Sequence, residues 1–600
     1  MNLTKEQEAK VKKLGINSFA QLALILPHSY EDLRLREEMQ LHKAQLIDAT
    51  VESVFRAPNS IQITFYVHNF AHSLQAVLFR PKPYMLHQFK VGERDYYYGV
   101  IECKSGHCSM SMPKKVSQIG SITPKYKTAL RTDVMRRLTQ ELLTKENLLA
   151  EGLREKYVDE LLRLHTPDES LLKSKELSSY TLEALKYTEL FSYMRALAGK
   201  RRYFETIVSK ECEYSSWSST LPFLLTDEQI DAIKDIRVDF AKNVAAKRMV
   251  VGDVGSGKTM VILACAYMMD ANRSILMAPT TILANQLYEE AQKYLPNLRI
   301  TLVTNKSKKV SLEKYDFIIG THALLYRELP EAGLVMVDEQ HRFGTQQRNM
   351  LEKLVSSKTR RPHYIQFSAT PIPRTLAMIE STHIDVSLIT TTPFIKDIDS
   401  QVIHREDFPT LLDHIRAQIA QNNQVLIVYP LVEQSDVLEY QSIDEARSYW
   451  ERSFEQVYVT HGKDKDKEDV LLKFREDGNI LIATTVVEVG ISLPRLSTVI
   501  IVGAERLGLS TLHQLRGRVS RTGLKGYCYL YTNKEKSERL DEFVKTTNGF
   551  DIANLDLKFR KSGDLLKGIQ QSGAQFKWVD FAEDRDIVES VKNDLGIGLD

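Results

Sequence analysis

Several features are scarce or missing in this chain, and each absence narrows what it does. Its 600 residues contain no apolar run near the ~20 that span a bilayer, so a membrane-spanning helix is excluded. The opening MNLTKEQEAKVKK is polar with a helical pattern, unlike a secretory signal, and the expected compartment is the cytoplasm. Cysteine is rare: five residues, at 103, 108, 212, 265 and 528, an odd number that suits a reducing environment. Cys103 and Cys108 flank Gly106 and His107 without the second ligand pair of a zinc site, so they read as a hairpin turn. Net charge is almost nil, with 80 basic against 78 acidic residues. No global polycation advertises nucleic acid, and any such binding must come from local patches. There is no low-complexity tail and no internal repeat beyond one doubling of an α/β pattern. At ~150 residues per domain the length suggests about four domains.

What is present is led by GDVGSGKT, residues 252–259, set between apolar Met249–Val251 and apolar Met260–Cys265. It matches the phosphate-cradling loop in the required context of strand before and helix after. Gly252, Gly255 and Gly257 let the backbone wrap so that N–H groups, with those of Asp253, Val254 and Ser256, converge on phosphate. The helix that follows turns its positive end to the anion. Lys258 reaches the outer phosphates and Thr259 offers a hydroxyl to Mg²⁺, so the expected ligands are ATP and Mg²⁺.

Leu334–Val337 is a continuous apolar run, as in a strand buried on both faces, and it ends in Asp338-Glu339-Gln340-His341. Carboxylates at that end of a parallel strand face the ligand crevice. Asp338 is the expected metal ligand and Glu339 the acceptor of a proton from water; Gln340 and His341 complete the candidate catalytic box. A second α/β unit downstream carries Gln514, Arg518 and Arg521. Read as one helix, these fall at i, i+4 and i+7 on one face, two guanidiniums and an amide suited to anionic oxygens. They are candidate arginine fingers; surface arginines are the bland alternative.

The organisation follows from changes of rhythm. Residues 1–45 form a helical lead-in and 46–120 alternate as about five short strands. That pattern points to a small barrel, of which the oligonucleotide-binding (OB) fold is the commonest functional kind, with an unrelated β-domain as the alternative. Residues 121–215 are a helical linker, whose basic runs, including Lys200-Arg201-Arg202, read as solvated faces. Residues 216–395 and 396–535 are two doubly wound, RecA-like α/β units, and 536–600 a charged helical segment. The fold class is therefore multi-domain α/β.

The ordered motifs LPFLLTDEQ (221–229), GDVGSGKT, APTTILANQ (278–286), GTHALL (320–325), VDEQHRFG (337–344), SATPIPRT (368–375), ATTVVEVG (483–490) and QLRGRVSR (514–521) resemble those of superfamily-two helicases. DEQHRFG, SATPIPRT and the closing GFDIANLDLKFRKSGDLL (549–566) resemble the RecG family of branched-DNA translocases and its relative Mfd. LGINSFAQLALILPHSYED (14–32) followed by a small β-domain favours RecG. The chain departs from the family pattern at Ser520 (usually Gly), at Ser492 (usually Asp) and across 560–563, with one residue inserted near Lys567.

The resemblance implies an ATP-dependent helicase that translocates on double-stranded DNA, binds forks and Holliday junctions, and drives fork regression and branch migration in recombination and repair. It implies that Gln229 reads adenine, and that Glu488 and Gly490 report nucleotide state. Thr280, Thr281, Thr321, Thr484 and Arg560 are implied DNA contacts. Segment 548–573 couples cleft motion to DNA, and the β-domain is the wedge at the branch. A monomer, no membrane attachment and a single-stranded-DNA-binding protein as partner also follow. A nucleotide-gated structural clamp and an RNA helicase remain as rivals. In the wedge, alternation places Phe79 at a strand end before Arg80, Lys82 and Tyr84, a stiff loop suited to stacking on unpaired bases; core packing of Phe79 is the alternative.

Overall fold

The computed structural model describes residues 3–597 apart from 58, 81–86, 105–106, 174–175, 310, 358, 395, 431–439, 463, 465, 485–492, 521–522 and 565–575. The chain divides into two compact units. Residues 1–195 with 576–579 and 593–596 make one, and the remainder makes the other.

In the first unit, helix Lys5–Leu14 starts at a Thr4/Gln7 capping box and stops at Gly15, whose φ of 71° is the left-handed exit glycine tolerates. Five strands follow: β1 (Ala44–Ala57), β2 (Ser60–Val67), β3 (His72–Phe79), β4 (Arg94–Lys104) and β5 (His107–Lys115). They close in the order β1-β2-β3-β5-β4, antiparallel throughout except for the β3–β5 pair. This is the OB barrel topology. Alternation sends Ile61, Ile63, Phe65 and Val67 inward, where Phe65 packs 4.6 Å from the Tyr97 ring and 6.2 Å from that of Phe89. The β4–β5 hairpin carries a disulfide between Cys103 and Cys108, where the residue pattern alone suggests a turn with no bond assigned. Helices Thr132–Leu142, Lys145–Ala150, Glu155–His165 and most of Ser179–Ala198 also belong to this unit. On the last of them, the Glu189 carboxylate accepts backbone N–H bonds from Lys577, Trp578 and Val579 at 2.7–3.1 Å, holding the returning C-terminal chain.

The second unit holds two parallel sheets. The first contains β6 (Lys247–Gly252), β7 (Ser274–Met277), β8 (Ile300–Val303), β9 (Phe317–Gly320), β10 (Leu334–Val337), β11 (His363–Ser368) and β12 (Asp385–Ile389). Their order is β8-β9-β7-β10-β11-β6-β12. The second contains β13 (Ile398–Ile403), β14 (Gln424–Val428), β15 (Val457–Thr460), β16 (Ile480–Ala483), β17 (Leu496–Val502) and β18 (Gly526–Tyr531), in the order β13-β18-β17-β14-β16-β15. Strands covered on both faces favour near-continuous apolar runs, and β10 and β14, which begins with Gln424, are buried at every residue. Helix Lys258–Met269 buries every residue from Met260 to Met269 except Tyr267.

Because the strands are parallel, their C-terminal ends share one edge, and the chemistry collects there. The phosphate loop leaves β6, Asp338 leaves β10, Ser368 ends β11, and the linker to the second sheet leaves β12 with Ile389 opposite Gly252. Among the described residues no helix is long and apolar enough to cross a membrane.

Phe65→Ala in the barrel core is expected to cost roughly 3–5 kcal/mol, as for other large-to-small aromatic changes. Hydrogen exchange should then show reduced amide protection across 44–115 with the parallel sheets still protected; unchanged protection in the barrel would contradict this packing.

Candidate active site

A cavity of about 720 Å³ opens at the C-terminal edge of the first sheet. Lys258, Thr259, Asp338 and Glu339 line it from the first α/β lobe, and Gln514 and Arg518 from the second. The phosphate loop is shaped by glycine where side chains would not fit. Gly255 and Gly257 have φ of 85° and 75°, and a Cβ on Gly257 would sit 2.3 Å from Gln229 Nε2. The Lys258 ammonium donates to the carbonyls of Gly252 and Asp253 at 2.8 and 2.9 Å. A phosphate entering the loop competes with those two carbonyls for it.

Asp338 is buried, and burial first, then the neighbouring Glu339 charge, push its carboxyl up to about 7. A divalent cation would restore the ionised form. The residues present therefore fit a nucleoside triphosphate with Mg²⁺. Glu339 stands at φ 49°, a left-handed conformation that costs a non-glycine residue of the order of 1–3 kcal/mol and collects at functional sites. Its Oε2 accepts the Ala369 N–H at 3.2 Å. Thr370 then joins the two lobes: its hydroxyl meets His341 Nδ1 at 3.4 Å and accepts from Gln514 Nε2 at 2.9 Å.

Several expectations change. The helix carrying Gln514 is Leu509–Arg516, so Arg518 does not share its face. Gly517 ends it while pressed on the phosphate loop, where a Cβ would lie 2.6 Å from Val254 Cγ1. Arg518 enters the cavity from the turn beyond, and Arg521 lies outside the described residues. Gln340 does not line the cavity; its amide donates to Met249 Sδ and accepts from Arg348, bracing helix Thr345–Val355. Gln229 is 3% exposed, with its carbonyl accepting the Thr226 N–H and its amide donating to the Ser256 carbonyl at 2.8 Å. In this state it latches the phosphate loop rather than offering an edge to adenine. Thr321 is buried, its hydroxyl capping the Ala323 N–H, so it presents no side chain to DNA. Thr280 caps helix Thr281–Tyr294, and the Thr281 N–H bonds the Glu468 carboxylate of the second lobe.

Asp253 departs furthest from its expected role, because its N–H, expected on phosphate, donates to the Ile389 carbonyl at 3.3 Å. Its carboxylate accepts from His513 Nε2 at 2.5 Å and from the Gly549 N–H at 2.8 Å. Arg516 donates to His513 Nδ1 at 3.1 Å and to the carbonyls of Phe543, Thr546 and Thr547. A neutral His513 with its proton on Nε2 satisfies both neighbours. Burial keeps that ring below its ordinary value, whereas the His513 bond, working against burial, holds the Asp253 carboxyl low. The phosphate loop, the Gln514 helix and the start of helix Gly549–Asp564 thus meet at one buried junction.

A second interaction absent from the motif reading is that of Glu228. Its carboxylate takes four bonds of 2.6–2.9 Å from the N–H and hydroxyl groups of Thr390 and Thr391, the linker leaving β12. Lys396, further along that linker, donates to the carbonyls of Val254 and Gly517. The signal in the sequence is an acidic residue beside Gln229 and a threonine run, but nothing local pairs them. Glu488, Gly490, Ser492, Lys82, Tyr84 and the side chain of Arg560 lie outside the described residues; Thr484 is half-buried. Phe79 is 59% exposed and Arg80 is exposed beside it, so Phe79 is not part of the barrel core.

Two parallel α/β lobes, a phosphate loop and acidic strand end in one, and an amide and guanidinium from the other define a helicase of superfamily two. Residues 226–379 match the DEAD/DEAH box helicase family and residues 406–523 the helicase conserved C-terminal domain. The ATP-dependent DNA helicase RecG of Helicobacter pylori (strain ATCC 700392 / 26695) is 42% identical over 98% of both chains. That of Aquifex aeolicus (strain VF5) is 32% identical over 95% of this chain and 80% of its own. A solved structure of RecG bound to a three-way DNA junction is 26% identical, with a TM-score of 0.56 over 98% of this chain and 84% of that one. The chain belongs to the RecG family.

The junction has a pH signature. A buried His513 held low means that below about pH 6.5, its ordinary value, the unfolded chain binds a proton the folded one refuses. Stability therefore falls as pH drops through that range, while the depressed Asp253 contribution persists until pH falls below the usual carboxylate value. His513→Gln should flatten the pH 5–7 slope of unfolding free energy; an unaltered slope would contradict the assignment. Ser520, at φ 61°, occupies a left-handed position that suits the family's usual glycine. Ser520→Gly should stabilise by ~1 kcal/mol in denaturant titration, since the strain of a side chain there is relieved.

Proposed function

We propose that the chain hydrolyses ATP to pull double-stranded DNA past a branch point, driving fork regression and branch migration in recombination and repair. The observation that carries this reading is the cavity lined jointly by Lys258, Asp338 and Glu339 of one lobe and Gln514 and Arg518 of the other. A site completed only by two lobes responds to its ligand by changing their separation. The relatives' names supply the substrate class, and their near full-length likeness extends it to this chain.

In this reading Thr259 and Asp338 would hold Mg²⁺, which neutralises phosphate charge when bound. Glu339 accepts a proton as water attacks the γ-phosphorus and the bond to the bridging oxygen breaks, leaving ADP and phosphate. Arg518 stabilises charge on the transferring group, with Arg521 in the same role. Exposed Phe223 and Phe394 at the cavity offer ring faces to a base. Thr280, Thr281, Thr484 and Arg560 are assigned to phosphate contact, which positions DNA without reading its sequence. The barrel is assigned as the wedge, with Phe79 and Arg80 at its tip. Division of the chain at about 45, 120, 215, 395 and 535, a monomeric working state, a cytoplasmic location and a single-stranded-DNA-binding protein as partner complete the proposal.

ATP turnover measured with forked, linear duplex, single-stranded and RNA substrates tests it. Forked DNA should stimulate most, and preference for RNA or lack of any stimulation would favour the rivals. Glu339→Gln should keep ATP binding while lowering turnover by about 10²–10⁴, the usual scale for removing a general base. Near-normal hydrolysis would remove Glu339 from its role.

A further inference from the structure

A second cavity, of about 780 Å³, opens at the opposite edge of the first sheet, where β6, β11 and β12 begin. Strand β6 puts ~17–20 Å between this edge and the phosphate loop, at the usual rise per residue, so the nucleotide does not reach it. Nine lysine and arginine side chains line it against three carboxylates, in a chain whose net charge is only +2.

Two of those carboxylates are already paired. Asp385 takes Arg201 at 2.8 Å, and Asp239 takes Arg248 at 2.7 Å and Lys242 at 3.3 Å. Among the described residues, Lys200, Arg202, Lys247 and Lys353 have no ion pair, and all four are exposed. Gathering unpaired like charges in a concavity costs free energy unless an anion occupies it. Two aromatic rings stand beside them: Tyr203 is 68% and Phe204 39% exposed. Each is backed by a guanidinium, Arg201 at 5.4 Å and Arg361 at 5.3 Å from the ring centroids.

We propose that this cavity is a second nucleic-acid site, which takes a short run of single-stranded DNA. Its phosphates lie against Lys200, Arg202, Lys247 and Lys353, and its bases stack on Tyr203 and Phe204. Cations explain an anion, and rings raised at the same cavity explain why that anion carries bases. A duplex has no free base face to offer them, and a small inorganic anion has no use for them. The run 200–202, which reads as a solvated face in the sequence, thereby gains a role in holding an unpaired strand while the engine works at the other edge.

The test uses the full-length protein and a fluorescent twelve-residue oligothymidylate, with anisotropy read across salt. Lys200→Ala with Arg202→Ala should weaken binding at least tenfold and make the salt slope shallower by about 1.4, at ~0.7 for each single-strand phosphate left without its cation. Tyr203→Ala with Phe204→Ala should weaken it about tenfold or more with the salt slope unchanged. Turnover with saturating duplex and the unfolding midpoint should be unchanged in both. Photo-crosslinking of the wild-type protein to iodouridine-bearing oligonucleotide should label the peptide containing Tyr203, a readout independent of any variant's folding. Unchanged oligothymidylate affinity in both variants overturns the proposal, as does a crosslink that avoids 200–204. Equal weakening of tripolyphosphate and oligothymidylate binding in the charge variant, with no effect of the ring variant, reduces the cavity to a plain anion site. Capture of an acidic peptide in preference to the oligonucleotide assigns it to a protein partner instead.

Discussion

The buried bond between Asp253 and His513 is the interaction on which the rest of the second unit turns. It joins residues separated by 260 positions in sequence, one inside the phosphate loop and the other on the helix that carries Gln514. A carboxylate this deep is tolerated only because three donors, from His513, Gly549 and Val254, satisfy it. Each donor belongs to a different moving part. The loop that feels phosphate, the helix that faces it from the second lobe and the segment that leads to the C-terminal helix cannot shift separately without stripping a buried charge of a partner.

The linker between the lobes is held with the same economy of distance. Strand β12 lies beside β6, so the linker and the phosphate loop leave the sheet side by side, and Glu228 grips the linker with four bonds. Gln229, the next residue, latches the loop. One helical turn, Thr226–Gln229, therefore touches both the nucleotide cradle and the path along which the lobes are joined. Coupling across this cleft needs no long chain of intermediaries, because the parts that must agree are already neighbours.

The elements legible in the sequence were those whose demands are local. Glycines at 252, 255 and 257 and the apolar run before Asp338 announce their backbone, because no other residues meet those constraints. Alternation through 61–67 likewise gave the barrel wall. What escaped was decided by distant partners. The N–H of Asp253 reads as a phosphate contact until Ile389 is brought beside it, and the helix through 514–521 looks continuous although it ends at Arg516, where Gly517 lies against Val254. Gln340 and Thr321 sit in motifs whose neighbours do the chemistry, yet their own polar groups close local hydrogen bonds. Ser520 stands out as a departure from the family pattern, and its positive φ gives the physical reason glycine is usual there.

The register of β6 has a consequence for how the protein is made. The strand carrying the phosphate loop is flanked by β11 and β12, which lie more than a hundred residues further along the chain. A parallel strand has no stable partner until the ribosome has delivered both neighbours, and non-local pairings of this kind form slowly. The cradle is therefore unable to hold nucleotide until Ile389 has emerged, and Asp253 stays unpaired until His513 and Gly549 follow. During translation the growing chain passes through a long interval with its OB barrel complete and its motor unassembled.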